Sequence, residues 1–335
     1  MASMEKDRKL DHIKLAFQSQ TSIYEADERF YYEPALSGHP SGPLPEVDFS
    51  GKKLGAPLWV SSMTGGTLMA RTINHNLARA CKEFRMGMGL GSCRKLLDDD
   101  TYFDDFNLRP VMGPDLPLYA NLGIAQVEIL LMENNVDKID RLVSRLQADG
   151  LIIHINPLQE WMQPEGNLIT RPPFETIERL LEKVKYPVIV KEVGQGMGPE
   201  SLRKLLQLPL AAVDFGAFGG TNFSMVELLR QDEENREKFE PFISVGQTAL
   251  QMLDIVNQYV QTGEPISCNQ LIISGGIRNY LDGFYQVTRS KLPAIYAQAS
   301  AFLRHSQAGY EPLQKFVAGQ IEGYRMATAL LKVRD

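Results

Sequence analysis

Eight short apolar runs recur along the chain, and their spacing limits the fold more than any other feature. They are "APLWVSS" (56–62), "FRMGMGL" (84–90), "PLYANLG" (117–123), "LIIHIN" (151–156), "PVIVKEVG" (187–194), "LAAVDFGAFGG" (210–220), "QLIISGG" (270–276) and "PAIYAQAS" (293–300). Helix-like stretches lie between them, such as "QVEILLMENNVDKIDRLVSRLQADG" and "PFETIERLLEKVK". Successive runs mostly start about one strand–helix unit apart, roughly 30 residues. Strands alternating with helices predict a parallel sheet, and eight such units predict an α/β chain folded as a (β/α)8 barrel. An open doubly wound sheet is the rival architecture. Residues 1–57 read as an N-terminal helical and loop segment: 1–30 are polar and helix-like, and 31–57 are rich in Pro and Gly. Residues 58–335 read as a single barrel domain. After the sixth run, "MVELLRQDEENREKFEPF" (225–242) is charged enough to predict a solvated helix or a mobile insert near the barrel top.

Composition narrows the class. With 335 residues and 44% apolar content, the chain has material for a large core. A net charge of −6 argues against a broad nucleic-acid surface. Cys81, Cys93 and Cys268 are too widely spaced for a disulfide framework or a zinc pattern, and suit a reducing compartment. The charged start "MASMEKDRKLDHIK" has no apolar signal-peptide core, and no run reaches membrane-spanning length. The expectation is a cytoplasmic protein.

The fourth run changes character part-way. In "LIIHINPLQE" an apolar strand gives way to His154, Asn156, Gln159 and Glu160. Strand side chains alternate, so His154 and Asn156 are expected on one face, with Gln159 and Glu160 on the loop that follows. A (β/α)8 barrel assembles its active site from such strand ends and loops.

The other strand ends are consistent with this. They read "SSMTGG" (61–66), "GLGSCR" (89–94), "ANLG" (120–123), "VKEVG" (190–194), "DFGAFGGT" (214–221) and "SGGIR" (274–278). Glycine admits an anion close to backbone N–H groups, and barrel phosphate sites form after strands seven and eight. "SGGIR" and "YAQAS" hold those places, so a phosphate cradle is expected there, although Gly275 and Gly276 alone would suit a simple tight turn. Lys191 lies in an apolar strand and needs an anionic or hydrogen-bonding partner. An ion pair with an acidic neighbour such as Glu192 is one reading. The other is a bound flavin, whose reduced ring a lysine would stabilise. At the N-terminus, Arg8, Lys9 and His12 fall within one helical turn. By themselves they suit a charged helix face; as a group they also suit a diphosphate clamp.

Taken in order, "RKLDH", "MTGG", "GSCR", "ANLG", "HINPLQE", "VKEVG", "DFGAFGGT" and "SGGIR" resemble the type 2 isopentenyl-diphosphate isomerases over nearly the whole chain. The resemblance implies an FMN-binding barrel, tetrameric or octameric. It would convert isopentenyl diphosphate to dimethylallyl diphosphate with reduced FMN and Mg2+ and no net redox change, and NADPH is the expected reductant. It places Arg8, Lys9, His12, Ser92, Arg94, His154 and Asn156 on the substrate side. Gln159 falls beside the reacting alkene, Glu160 on Mg2+, and Gln159 with Lys191 in the catalytic roles. The implied flavin contacts are Met63, Thr64, Gly65, Ser92, Asn121, Lys191, Thr221, Gly275, Gly276 and Arg278, with Gln298 and Ala299 on the second phosphate loop. Two departures stand out. Gly216 replaces a serine that the family often carries, and "NYLDGFYQVTRSKLPAIYAQAS" replaces the usual small-residue helix and strand after "SGGIR".

Two rivals are weighed. An FMN-dependent 2-hydroxy-acid oxidase or dehydrogenase uses the same kind of barrel but needs a histidine base late in it. This chain has no histidine between His154 and His305. A non-catalytic flavin-binding protein is the other rival, and the intact Gln159, Glu160 and "RKLDH" argue against it.

Overall fold

The computed structural model describes residues 2–334 apart from Met63, Leu68 and Asn269; the side chains of residues 2–7 also lie outside the description. The eight apolar runs form eight parallel strands: β1 (Leu58–Val60), β2 (Gly87–Gly89), β3 (Leu118–Gly123), β4 (Gly150–Ile155), β5 (Val188–Glu192), β6 (Ala212–Asp214), β7 (Leu271–Ile273) and β8 (Ala294–Gln298). They close into a barrel, β8 pairing with β1. The (β/α)8 expectation is therefore correct, and the open sheet is excluded.

Two layers fill the barrel. The lower one is apolar and includes Trp59, Tyr119, Ile152, Ile189, Ala212, Ile272 and Ile295. Gly87 leaves room for Trp59, whose ring lies 2.2 Å from where a Cβ would stand. Two residues further along, the same face carries Ser61, Asn121, His154, Lys191, Asp214 and Ser274 on six of these strands, and Ala297 on β8. The barrel interior thus changes from hydrocarbon to a polar ring just below its C-terminal mouth.

The N-terminal segment departs from its sequence reading. The helix of the first thirty residues, α1, is only Ala2–Leu15. The stretch expected to be loop holds a hairpin, Val47–Phe49 with Lys52–Leu54. Its turn, Ser50–Gly51, has both φ values positive (50° and 78°), which matches the twist of two strands joined by a two-residue loop. Phe49 and Leu54 pack with the lower barrel layer, Phe49 at 5.1 Å from Trp59 ring to ring. The hairpin thereby closes the floor, and burying one such side chain contributes about 1.5–3 kcal/mol. A further short strand, Phe30–Tyr32, pairs antiparallel with Leu331–Val333 near the C-terminus.

The long helix-like stretch after β3 is two helices, α2 (Ile124–Met132) and α3 (Asp137–Arg145), broken at Asn134, whose φ is +56°. After β4, Gln159 and Glu160 lie on a short helix, α4 (Pro157–Met162), not on a loop. Pro157 at the first helical position has a fixed φ suited to starting it. The charged segment after β6 forms α5 (Phe223–Leu229), capped by the Asn222 side chain on the Met225 N–H, and α6 (Glu233–Ile243). None of the α6 residues is buried, as a solvated helix requires. After β8 comes α7 (Ser300–Ala308).

Candidate active site

A cavity of about 470 Å³ opens at the C-terminal mouth, between the ends of β1, β5, β6, β7 and β8. Lys191, Thr221, Gly275, Gly276, Arg278, Gln298 and Ala299, all named from sequence as flavin contacts, line it. The strand-eight pair Gln298 and Ala299 is included despite the unusual sequence before it. Ser61, Ser62 and Arg304 also line it and were not singled out from sequence. Thr64, Gly65, Ser92 and Asn121 do not line this cavity, and Met63 lies outside the described residues. Gly65 packs against Phe106, and Ser92 is exposed.

The cavity suits a flat polar cofactor with a phosphate. Gly275 has φ +89°, and a Cβ on it would stand 2.1 Å from the Ala217 carbonyl oxygen. Only glycine lets β7 end so close to the β6 loop. Two buried polar atoms beside the cavity have no protein partner among the described residues: the Ser62 hydroxyl and the Gln298 side-chain oxygen. Buried polar groups are normally paired, so both fit a ligand that supplies the missing bond.

Lys191 occupies the centre of the polar ring. Its register places it opposite His154 on one side and Asp214 on the other. Its ammonium donates to the Glu192 carbonyl oxygen at 2.7 Å. The Glu192 carboxylate is engaged elsewhere, accepting from the N–H groups of Gly194, Gln195 and Gly196 at 2.7–2.9 Å. The ion pair considered from sequence is therefore not formed. Asp214 is fully buried, accepts from the Ser274 hydroxyl, and has one oxygen without a partner. Burial raises its pKa, an effect that Lys191 opposes.

Gly216 also has a structural cause. It holds φ +51°, and a Cβ there would sit 1.9 Å from the Glu192 carbonyl oxygen. A serine cannot enter this backbone without moving β5.

A second cluster forms at the end of β4. His154 Nδ1 lies 2.8 Å from Asn121 Oδ1, and Asn121 Nδ2 donates to the Leu90 carbonyl at 2.9 Å. Burial, and then the charge of Lys191, push the His154 pKa down to about 4. Asn156 is buried and donates at 3.1 Å to both Gln159 Oε1 and Glu160 Oε1. Glu160 Oε2 accepts from the Asn167 N–H at 2.7 Å. Gln159 Nε2 donates to Glu227 Oε1 at 3.1 Å. Glu227, on α5, is buried and pairs with Arg230 at 2.6 Å. Sequence reasoning missed Glu227; the only signal was a lone carboxylate inside the apolar stretch "FSMVELL".

Arg94 is exposed on the turn after β2, and Arg8, Lys9 and His12 are exposed on α1. No hydrogen bond among the described residues joins these four to the β4 cluster. Of the residues expected on the diphosphate side, His154 and Asn156 lie together at the end of β4, and the cationic residues make no hydrogen bond to them.

Comparison with known proteins decides the family. No family model matches the chain. An isopentenyl-diphosphate delta-isomerase of Archaeoglobus fulgidus is 35% identical over 333 residues, covering 95% of this chain and 88% of its own. Another from Synechocystis is 35% identical over 289 residues, covering 82% of this chain and 78% of its own. The chain belongs to the isopentenyl-diphosphate delta-isomerase family. Among solved structures it is similar to a mutant flavocytochrome b2 with benzoylformate (TM-score 0.63, 14% identity, 90% of this chain and 72% of that one). It is also similar to a mandelate oxidase mutant with an FMN adduct (TM-score 0.59, 15% identity, 92% and 89%). At such identities the likeness concerns the barrel alone. Residues of the motifs "VKEVG", "DFGAFGGT" and "SGGIR" line the cavity at the barrel mouth.

Among the described residues no group of three His, Cys, Asp or Glu side chains is placed to hold a metal ion. Glu160, expected from sequence to take Mg2+, is a single buried carboxylate whose oxygens accept from Asn156 and Asn167, and Mg2+ commonly takes one or two carboxylates together with substrate phosphates and waters. No helix among the described residues is long and apolar enough to cross a membrane.

Proposed function

We propose that this chain converts isopentenyl diphosphate to dimethylallyl diphosphate, with FMN in the cavity and Mg2+ at Glu160. The observation that carries the reading is the fixed amide of Gln159. Asn156 holds its oxygen and Glu227 its nitrogen, both at 3.1 Å, next to the Glu160 carboxylate. A neutral amide is a poor acid or base, so Gln159 orients an alkene and does not transfer a proton.

Moving the double bond requires a proton added at one end of the allylic unit and one removed from C2. Reduced FMN, when bound, supplies a ring nitrogen able to give and accept that proton. The chain's own groups do the remainder. Lys191 places a positive charge under the cavity and stabilises negative charge above it. Glu160 and Mg2+ would hold the diphosphate, with Asn156, His154, Arg94 and the α1 group Arg8, Lys9 and His12 as further contacts. The contacts assigned to flavin are Met63, Thr64, Gly65, Ser92, Asn121, Thr221 and the cradle from Gly275 to Arg278, continuing to Gln298 and Ala299. NADPH as reductant, a tetrameric or octameric assembly, a cytoplasmic location, and a division into an N-terminal segment (1–57) and a catalytic barrel (58–335) belong to the same reading.

The 2-hydroxy-acid oxidase alternative fits the barrel but lacks its base. His305, the next histidine after His154, stacks on Phe316 at 4.4 Å on α7 and does not line the cavity. Anaerobic incubation of isopentenyl diphosphate with the protein, Mg2+ and either oxidised or reduced FMN, followed by proton NMR, tests the proposal. Dimethylallyl diphosphate should form with reduced FMN only. No dimethylallyl diphosphate with reduced FMN and Mg2+ would sink it.

A further inference from the structure

The chain is acidic overall, at −6, yet the charged side chains lining the mouth cavity are Lys191, Arg278 and Arg304, with no carboxylate among them. A cation-only lining in an acidic protein selects an anionic ligand. Lys191 belongs to the polar ring at the cavity floor, under the ring portion of the proposed flavin. The two guanidinium groups lie where β7 and β8 end, around the glycine cradle.

Arg304 is the better placed of the two to read a phosphate. It sits on α7, one turn beyond Ser300, which also lines the cavity. The residue before the helix, Ala299, supplies no side-chain cap, and the first-turn N–H groups of any helix lack an intrahelical partner. Those donors and the Arg304 guanidinium therefore border the same end of one cavity. Arg304 is exposed, and no carboxylate pairs with it among the described residues. Arg278 is attached through its backbone N–H to Asp282, on an exposed turn, and not to a helix facing the cradle.

We infer that Arg304 is a specificity residue for the cofactor's phosphate: it makes this chain prefer FMN to riboflavin. The inference rests on the flavin reading above. The two are separated by testing wild-type protein in parallel.

Apoprotein of the wild type, Arg304→Gln, Arg304→Lys and Arg278→Gln would be titrated with FMN and with riboflavin by flavin fluorescence. The wild type should bind FMN the more tightly. Arg304→Gln should weaken FMN by about tenfold, the scale of one lost charge-assisted bond, and leave riboflavin affinity unchanged. Arg304→Lys should recover part of the loss, and Arg278→Gln should have the smaller effect. Unchanged FMN affinity in Arg304→Gln overturns the inference, and so does an equal weakening of both flavins, which would mark Arg304 as structural. A wild type that binds neither flavin overturns the flavin reading itself, and the inference with it.

Discussion

His154 donates from Nδ1 to Asn121 Oδ1 over 2.8 Å, and the direction of that bond is set by a third group. Asn121 spends its amide N–H on the Leu90 carbonyl, so its oxygen is left to accept. The neutral imidazole then carries its proton on Nδ1 and leaves Nε2 bare. With a pKa near 4, His154 is neutral at physiological pH and brings no charge to a diphosphate. In the proposed function, attraction for the diphosphate then falls to Arg94, the α1 cations and Mg2+.

The same depressed pKa makes stability depend on pH. In the unfolded chain a histidine titrates near 6.5. Below that value the unfolded state binds a proton that the folded state refuses until about pH 4. Stability should therefore fall as pH drops through that window, and His154→Gln should flatten this part of the profile. Urea denaturation at intervals between pH 4 and 7 measures it. Parallel profiles for the two proteins would show that His154 is not held neutral by the fold.

Glu227→Gln tests the orientation of Gln159. The substitution keeps size but removes the charge that binds Arg230 at 2.6 Å and receives the Gln159 amide at 3.1 Å. A hydrogen bond to a charged partner is worth about 1.5–3 kcal/mol, so losing its direction should lower kcat by roughly tenfold or more. KM should change little, because Glu227 is not among the groups assigned to the diphosphate. Steady-state kinetics beside a melting curve separate this from unfolding, and unaltered kcat would leave Gln159 oriented by Asn156 alone.

Lys191→Met should reduce turnover more than substrate binding. The ammonium lies in the polar ring, donating only to the Glu192 carbonyl among the described residues. Removing one electrostatic contact of this kind typically costs about 10²–10³ in rate. Methionine fills a similar volume, so the barrel should still close. Normal kcat with reduced FMN would reduce Lys191 to a structural role.

These variants differ in how visible their targets are in the sequence alone. Lys191 announced itself, as a cation inside the apolar strand "VIVKE" needs an anionic or hydrogen-bonding partner. The barrel was legible for the same reason: both faces of its strands are covered, so they read as short continuous apolar runs. Glu227 was not legible. It lies beside a stretch whose charges do face water on α6, and only packing of α5 over α4 turns this one carboxylate inward. The floor hairpin was hidden by composition. Phe49 and Leu54 each sit alone among polar and turn-forming neighbours, and their burial depends on the distant Trp59.

The N-terminal segment offers the last test. Arg8, Lys9 and His12 are exposed on α1, and apolar side chains on and after it are exposed too: Ile13 at 69% and Phe17 at 82%. Scattered apolar side chains at a surface are ordinary, and the three cations are the groups on α1 that suit an anionic ligand. In the proposed function that ligand is the substrate diphosphate. Removing residues 1–12 should raise KM for isopentenyl diphosphate strongly while leaving FMN affinity nearly unchanged, because these groups are assigned to substrate and not to flavin. In the intact protein, cleavage near residue 10 by a protease should slow when isopentenyl diphosphate and Mg2+ are added together. If truncation abolishes flavin binding and spares substrate affinity, the segment supports the barrel and the diphosphate clamp must be sought among Arg94, His154 and Asn156 alone.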